Sequence, residues 1–197
     1  MTIGILAVQG AFIEHENIFR QLNIDCFEIR KKEDLKKKMD GLVLPGGEST
    51  AMTKILKDLQ MQQTIKDFIV DGLPVLATCA GMILLAERVT DCDGTMCFGT
   101  MPIKVHRNAF GRQLGSFVTD TEVKHIGAMQ LRFIRAPFIE TVAKGVEVLA
   151  TVDNKIVAAQ YQNQIALSFH PELTTDVRIH QYFLALVKEH TNAIQTN

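Results

Sequence analysis

"PVLATCAGMILLAE" (74–87) runs apolar as far as Thr78, places a cysteine at 79, and resumes an apolar run after Gly81. The first run has the length of a buried strand, while the second reads as the opening of a helix, so the chain is predicted to turn sharply at Cys79. Ala77 and Gly81 stand two residues to either side, small where strand and helix backbones would approach. A strand passing directly into a helix opens a βαβ unit, and such units build parallel sheets.

The preceding residues repeat this alternation. "TIGILAV" (2–8), "CFEI" (26–29), "GLVLP" (41–45) and "LPVLAT" (73–78) are strand candidates, with an amphipathic helix near 12–22 between the first two. Gly10, "PGGEST" (45–50) and "CAG" (79–81) punctuate strand ends ahead of helix signals. Those ends should share one edge of the sheet, where open α/β folds place their sites.

Beyond residue 98 the texture changes to short strand candidates at "IKVHR" (103–107), "SFVTDTEV" (116–123), "LRFI" (131–134), "VEVLAT" (146–151), "KIVAAQY" (155–161) and "QIALSF" (164–169). These are expected to form a small antiparallel extension that returns to the main sheet, closed by a helix over about 175–190. The predicted class is therefore α/β, with a mixed, mostly parallel central sheet flanked by helices. No repeat, low-complexity tract or linker interrupts the chain, so residues 1–197 are expected to form a single domain.

With 197 residues, of which 47% are hydrophobic, the chain can bury a substantial core. Its 21 basic and 22 acidic residues nearly cancel, so no global field draws it to nucleic acid or to an anionic membrane. A small neutral or zwitterionic substrate fits better. Cysteines 26, 79, 92 and 97 lack paired CxxC spacing, and no His/Cys cluster has zinc-site separation, so reduced thiols and no metal are expected. "MTIGILAVQG" (1–10) does not read as an export leader, and the apolar stretch 73–86 is shorter than a membrane span; a cytoplasmic location follows as the expectation. The basic cluster "RKKEDLKKK" (30–38) reads as a solvated helix face or as a docking face for a partner.

Three segments can carry chemistry. An elbow at Cys79 would lift its sulfur out of the sheet, and the unpaired N–H groups of a helix N-terminus favour a nucleophilic anion there. "LPGGEST" (44–50) follows a strand and precedes a helix whose N-cap is Ser49 or Thr50. Its paired glycines free backbone N–H groups to face the crevice, as an oxyanion hole requires. "SFHPEL" (168–173) ends a strand; in an extended segment His170 and Glu172 point the same way, so the carboxylate could orient the ring. The other histidines, 15, 106, 125, 180 and 190, have no such neighbour and read as structural or surface residues. Taken singly, each segment also has a plain reading: a packed thiol, a glycine turn with a capped helix, a surface turn. Taken together they supply nucleophile, oxyanion donors, base and orienter at strand ends, which describes acyl transfer by a Cys-His-Glu triad.

"LAVQGAFIEH", "GLVLPGGESTAM", "TCAGMILLA", "HRNAFGRQ", "FIRAP" and "SFHPELT", in this order, resemble the glutaminase subunits of two-component pyridoxal 5′-phosphate synthases (the PdxT/SNO family), a branch of the class I (triad) glutamine amidotransferases. The resemblance spans nearly the whole chain. It implies a flavodoxin-like three-layer fold and the hydrolysis of L-glutamine, without a cofactor, through a cysteine thioester. It further implies that Cys79, His170 and Glu172 are the triad, for which the backbone N–H groups of Gly47, in the paired-glycine turn, and of Ala80, directly after the nucleophile, are the expected oxyanion hole. Glutamine would contact Gly46, Gly47, Glu48, Ser49, Arg107, Ile134 and Arg135, with Arg107 and Arg135 both suited to its α-carboxylate. The implied partner is the synthase subunit, a (β/α)₈ barrel in a dodecameric core that carries up to twelve glutaminases and receives the ammonia. The loop at Gln9 and Gly10 and the basic cluster at 30–38 are candidate docking surfaces. Where the family usually has glycine, this chain has Ala77, one methyl more on the tight side of the elbow. A different class, the DJ-1-like redox-protective proteins, also carries an elbow cysteine but has no need of "HPE" or of the paired glycines.

Overall fold

The computed structural model describes residues 1–90, 98–107 and 116–195. Five strands, β1 (Thr2–Leu6), β2 (Asp25–Ile29), β3 (Gly41–Leu44), β4 (Val75–Thr78) and β12 (Gln164–Leu167), lie parallel in the order β2-β1-β3-β4-β12. The chain steps one way from β1 to β2 and the other way from β1 to β3, which opens a crevice at the C-terminal strand ends.

Helices cover both faces. Along β3, Leu42 and Leu44 enter one core cluster and Val43 the other, as the two-residue period of a strand requires. The first cluster holds Met52 and Leu56 of α2 (Ser49–Asp58), Ile65 and Ile69 of α3 (Gln62–Val70), and the wholly buried α4 (Ala80–Leu85). The second holds Phe19 of α1 (Phe12–Gln21) and Ile179, Phe183 and Val187 of α5 (Arg178–Gln195). Every residue of β3, β4 and β12 is buried, which is why these strands read as continuous apolar runs without alternation.

Past β12 the same sheet continues in mixed fashion through β11 (Lys155–Tyr161), β9 (Phe138–Val142), β6 (Met101–His106) and β5 (Ala86–Val89), with β10 (Glu147–Val152) also paired to β11. β7 (Ser116–Val123) and β8 (Gly127–Ile134) form a separate antiparallel hairpin whose buried Val123, Met129, Leu131 and Phe133 join the second cluster.

Several local expectations shift. Helix α4 stops at Leu85 and the chain enters β5 at once, because an all-buried apolar run satisfies either geometry and carries no period to choose between them. β5 and β9 are therefore elements that the sequence reading did not contain. The final helix starts later and runs longer than 175–190. The basic cluster carries a short 3₁₀ helix, Lys32–Lys36, in place of an α-helix, with Leu35 buried and the lysines exposed, and the Asp34 carboxylate accepts from the N–H groups of Arg30 and Lys31. Residues 108–113 of "HRNAFGRQ", together with Cys92 and Cys97, lie outside the described residues; Cys26 and Cys79 are free thiols.

Candidate active site

β4 delivers the cysteine. Ala77 pairs with Leu44 on one side and Ala166 on the other, and the Cys79 N–H extends this ladder by donating to Leu167 O at 2.7 Å. Ala77 thus sits in regular strand register with its methyl in the core, upstream of the bend itself. Cys79 then takes φ 47° and ψ −102°, a left-handed backbone that a non-glycine residue holds only when its surroundings impose it. Gly81 shows how tight the turn is: a Cβ there would lie 2.0 Å from Leu44 O.

β12 delivers the histidine. His170 N–H donates to Arg132 O of β8 at 2.8 Å, and Pro171–Leu173 form a 3₁₀ turn. The segment is therefore turned where an extended one was expected, because Pro171 occupies the first position of that turn with its fixed φ. His170 Nδ1 still meets Glu172 Oε1, at 2.6 Å, and both side chains are buried. Burial works against a charged ring. Interaction with the nearby Cys79 sulfur and the hydrogen bond to Glu172 outweigh it and push the His170 pKa up to about 10. With Nδ1 on Glu172, Nε2 is the nitrogen that remains for the sulfur. Gly46 abuts this contact: a Cβ there would stand 2.3 Å from His170 Cε1 and 3.3 Å from Cys79 Cβ.

A cleft of about 940 Å³ opens over these groups. Gly46, Gly47, Glu48, Ser49, Cys79, Ala80, Arg107, Ile134, Arg135 and His170 all line it, and Glu172 lies behind His170. The cap of α2 is Glu48, not Ser49 or Thr50. Its extended backbone lets the carboxylate accept from Thr50 N–H at 3.0 Å and Ala51 N–H at 2.6 Å. Desolvation opposes ionisation of Glu48, but these amide bonds, the Thr50 hydroxyl and nearby Arg107 hold its carboxyl below the usual range. Arg107 donates to Thr50 Oγ1 at 3.2 Å and lies 3.6 Å from Glu48, which anchors it on the cleft wall. Arg135 has φ 45°, and the Cys79 Sγ lies 3.9 Å from Ile134 O.

Some residues of the site escaped the sequence reading. Gln9, considered only as part of a docking loop, lines the cleft, and its Oε1 accepts the Glu48 N–H at 2.7 Å. Its signal was its position directly after β1, at the shared strand edge. His15 and His180, read as having no functional neighbour, are wholly buried, with His15 Nε2 3.6 Å from Glu172 Oε2. The available clue was that His15 shares the buried stripe of α1 with Ile18 and Phe19. Among the described residues, no group of three or more His, Cys, Asp or Glu is placed to hold a metal ion.

The sequence profile of the SNO glutamine amidotransferase family matches residues 5–189. The chain is 52% identical over 193 residues to pyridoxal 5′-phosphate synthase subunit PdxT of Desulfitobacterium hafniense strain Y51, covering 98% of this chain and 96% of that protein. It is also 52% identical over 192 residues to the subunit of the same name from Streptococcus pneumoniae serotype 4, covering 96% and 99%. A crystal structure of a glutamine amidotransferase superposes with a TM-score of 0.90 at 40% identity, over 94% of this chain and 98% of that one. A glutamine amidotransferase from Thermotoga maritima, 16% identical with a TM-score of 0.61 over 100% of this chain and 85% of its own, shares the fold.

Proposed function

Since the chain belongs to the SNO glutamine amidotransferase family, we propose that it is the glutaminase subunit of a pyridoxal 5′-phosphate synthase, hydrolysing L-glutamine to L-glutamate and ammonia. The observation that carries this reading is the placement of His170 between Cys79 and Glu172 on the floor of a cleft large enough for an amino acid.

Glutamine enters as a zwitterion, its α-carboxylate meeting Arg107 or Arg135. The Cys79 sulfur, as thiolate, attacks the side-chain amide carbon, and the oxygen takes up negative charge. Gly47 and the Ala80 N–H receive that charge; Ala80 is the first residue of α4, where an amide has no acceptor within the helix. His170, protonated at neutral pH, gives its Nε2 proton to the leaving nitrogen, so ammonia departs and a γ-glutamyl thioester remains. The neutral ring then takes a proton from water as its oxygen attacks the thioester. Glutamate leaves, and thiolate and imidazolium are restored. Glu172 holds the ring throughout. Gly46, Glu48, Ser49 and Ile134 shape the pocket around the substrate.

Ammonia released into neutral water would be protonated and lost as a nucleophile, so it passes to the synthase subunit. That partner is a (β/α)₈ barrel in a dodecameric core able to carry twelve glutaminases, and the complex works in the cytoplasm. Among the described residues no helix is long and apolar enough to cross a membrane. A redox-protective cysteine would give the His170–Glu172 pair no task.

The test is glutamate release from glutamine, with and without the synthase subunit, by the wild type and by Cys79→Ala. Activity that needs Cys79 is expected, along with labelling of that residue by a glutamine-analogue electrophile. A wild type that stays silent with its partner, or an active Cys79→Ala, overturns the assignment.

A further inference from the structure

Behind the His170–Glu172 pair lies a second pair of histidines to which the reaction above gives no role. Glu172 uses Oε1 on His170, while Oε2 is buried and has no hydrogen-bond partner within 3.5 Å. The ring nitrogen facing Oε2 is His15 Nε2, at 3.6 Å, which also lies 3.4 Å from Thr78 Oγ1. On the far side of that ring, His15 Nδ1 is 3.0 Å from His180 Nε2, and His180 Nδ1 ends the chain, buried and unpartnered. Four titratable groups from three parts of the chain thus stand in a row: His170, Glu172, His15 of α1 and His180 of α5.

Proton bookkeeping along this row allows one sensible arrangement. Burial, with the neighbouring His180 and His170, holds His15 well below the usual histidine range, and burial takes His180 down to about 4. Both rings are therefore neutral near pH 7, with one N–H each. If His15 carried its proton on Nδ1, its Nε2 lone pair would face a carboxylate oxygen, and His180 would have to keep a buried N–H with no acceptor. If both rings carry it on Nε2, His180 donates to His15 and the His15 N–H points at Glu172 Oε2 and Thr78 Oγ1. Apart from Glu172 Oε2, which the His15 N–H faces at 3.6 Å, the unmet group is then a lone pair on His180, a smaller penalty than an orphaned donor or a repulsive contact in a low-dielectric interior.

We infer that His15 is a positioning residue for the glutaminase reaction: as the Nε2–H tautomer selected by His180, it donates to Glu172 Oε2 and so locks the carboxylate that orients His170. The inference rests on the triad reading given above. The 3.6 Å separation is longer than a hydrogen bond, so this role requires the contact to shorten as substrate and transition state draw the triad together, the behaviour known for catalytic hydrogen bonds.

Two measurements decide it. In the wild-type chain, ¹⁵N chemical shifts of His15 and His180 report the tautomers directly. Nε2–H on both is expected, and a proton on His15 Nδ1 overturns the proposal. In the variants, His15→Phe keeps a ring but no donor, and His15→Gln keeps an amide N–H near the Nε2 position. With the synthase subunit present, kcat of His15→Phe should fall about tenfold with KM for glutamine within about twofold, while His15→Gln regains most of it. The far-downfield Nδ1 proton of His170 should broaden or shift in His15→Phe and return in His15→Gln. A purely structural His15 would lower thermal stability and leave that resonance in place, which would also overturn the proposal. His180→Phe, which removes the group that selects the tautomer, is read in the same way if His15→Phe does not fold. The tautomer and proton readouts need no turnover. Failure of the glutaminase assay in the wild type would thus count against the proposed function, and an unmoved resonance against His15.

Discussion

His170 Nδ1 and Glu172 Oε1 stand 2.6 Å apart across a single proline, inside the protein, with Cys79 and the ring both abutting Gly46. The ring therefore keeps its proton far above the ordinary histidine pKa of 6.5, up to about 10. In the proposed mechanism the proton delivered to ammonia is the one that His170 holds, so this pKa sets the alkaline limit of the chemistry. With the synthase subunit present, kcat/KM for glutamine should stay level past neutrality and fall as pH rises through about 10. Glu172→Gln removes a charge and an acceptor that favour the protonated ring, so this limb should move toward lower pH. A limb that stays in place in Glu172→Gln would show that Glu172 does not set the ring's protonation.

Gly46→Ala should be nearly inactive while remaining folded. The added Cβ would fall 2.3 Å from His170 Cε1 and 3.0 Å from Nδ1, so the ring has to leave its position between the sulfur and Glu172. Displacements of that order cost roughly 100-fold in rate. Steady-state glutaminase kinetics alongside a thermal melt check this, and wild-type kcat/KM would refute it.

Gly81→Ala meets backbone instead of a movable side chain, 2.0 Å from Leu44 O, so β3 and α4 must separate. Overpacking of this kind costs about 1–3 kcal/mol. Urea titration should show the midpoint falling with the slope unchanged.

Glu48→Ala strips α2 of the acceptor for the Thr50 and Ala51 N–H groups and releases Arg107 from one of its neighbours. Loss of a cap of this type costs about 0.5–2 kcal/mol, again read by urea titration. Glu48→Asp should restore part of it, whereas equal losses in both variants would show that the carboxylate is not the cap.

Much of this protein was legible because the informative signals are local. A buried strand of four or five apolar residues, a small residue two positions either side of Cys79, paired glycines before a helix, and a histidine two residues from a glutamate all act over a few residues. The first four parallel strands, the elbow and the His170–Glu172 pair could therefore be anticipated, whereas "QIALSF", expected in the antiparallel extension, joins the core as β12, parallel to β4. Where the local signal was degenerate, expectation and structure part. The run 82–86 is apolar at every position and has no period, so only the pairing of Ala86 with Met101 makes it leave the helix for β5. "GGEST" offered Ser49 and Thr50 as caps, and the extended backbone at Glu48 placed its carboxylate there instead.

The sequence by itself determined which groups could react and that strand ends would collect them, because strand–turn–helix chemistry is written in short spacings. Tertiary structure alone decided what stands behind those groups. Gln9 reaches Glu48 because β1 and β3 lie side by side in the sheet, and His15 and His180 line up on Glu172 because α1 and α5 pack on the same face of that sheet. A helix's own sequence says which stripe is buried. It does not say which buried atom of another helix, 165 residues along the chain, will lie 3.0 Å away. That distance follows from how the two helices pack together, and packing is a property of the whole fold.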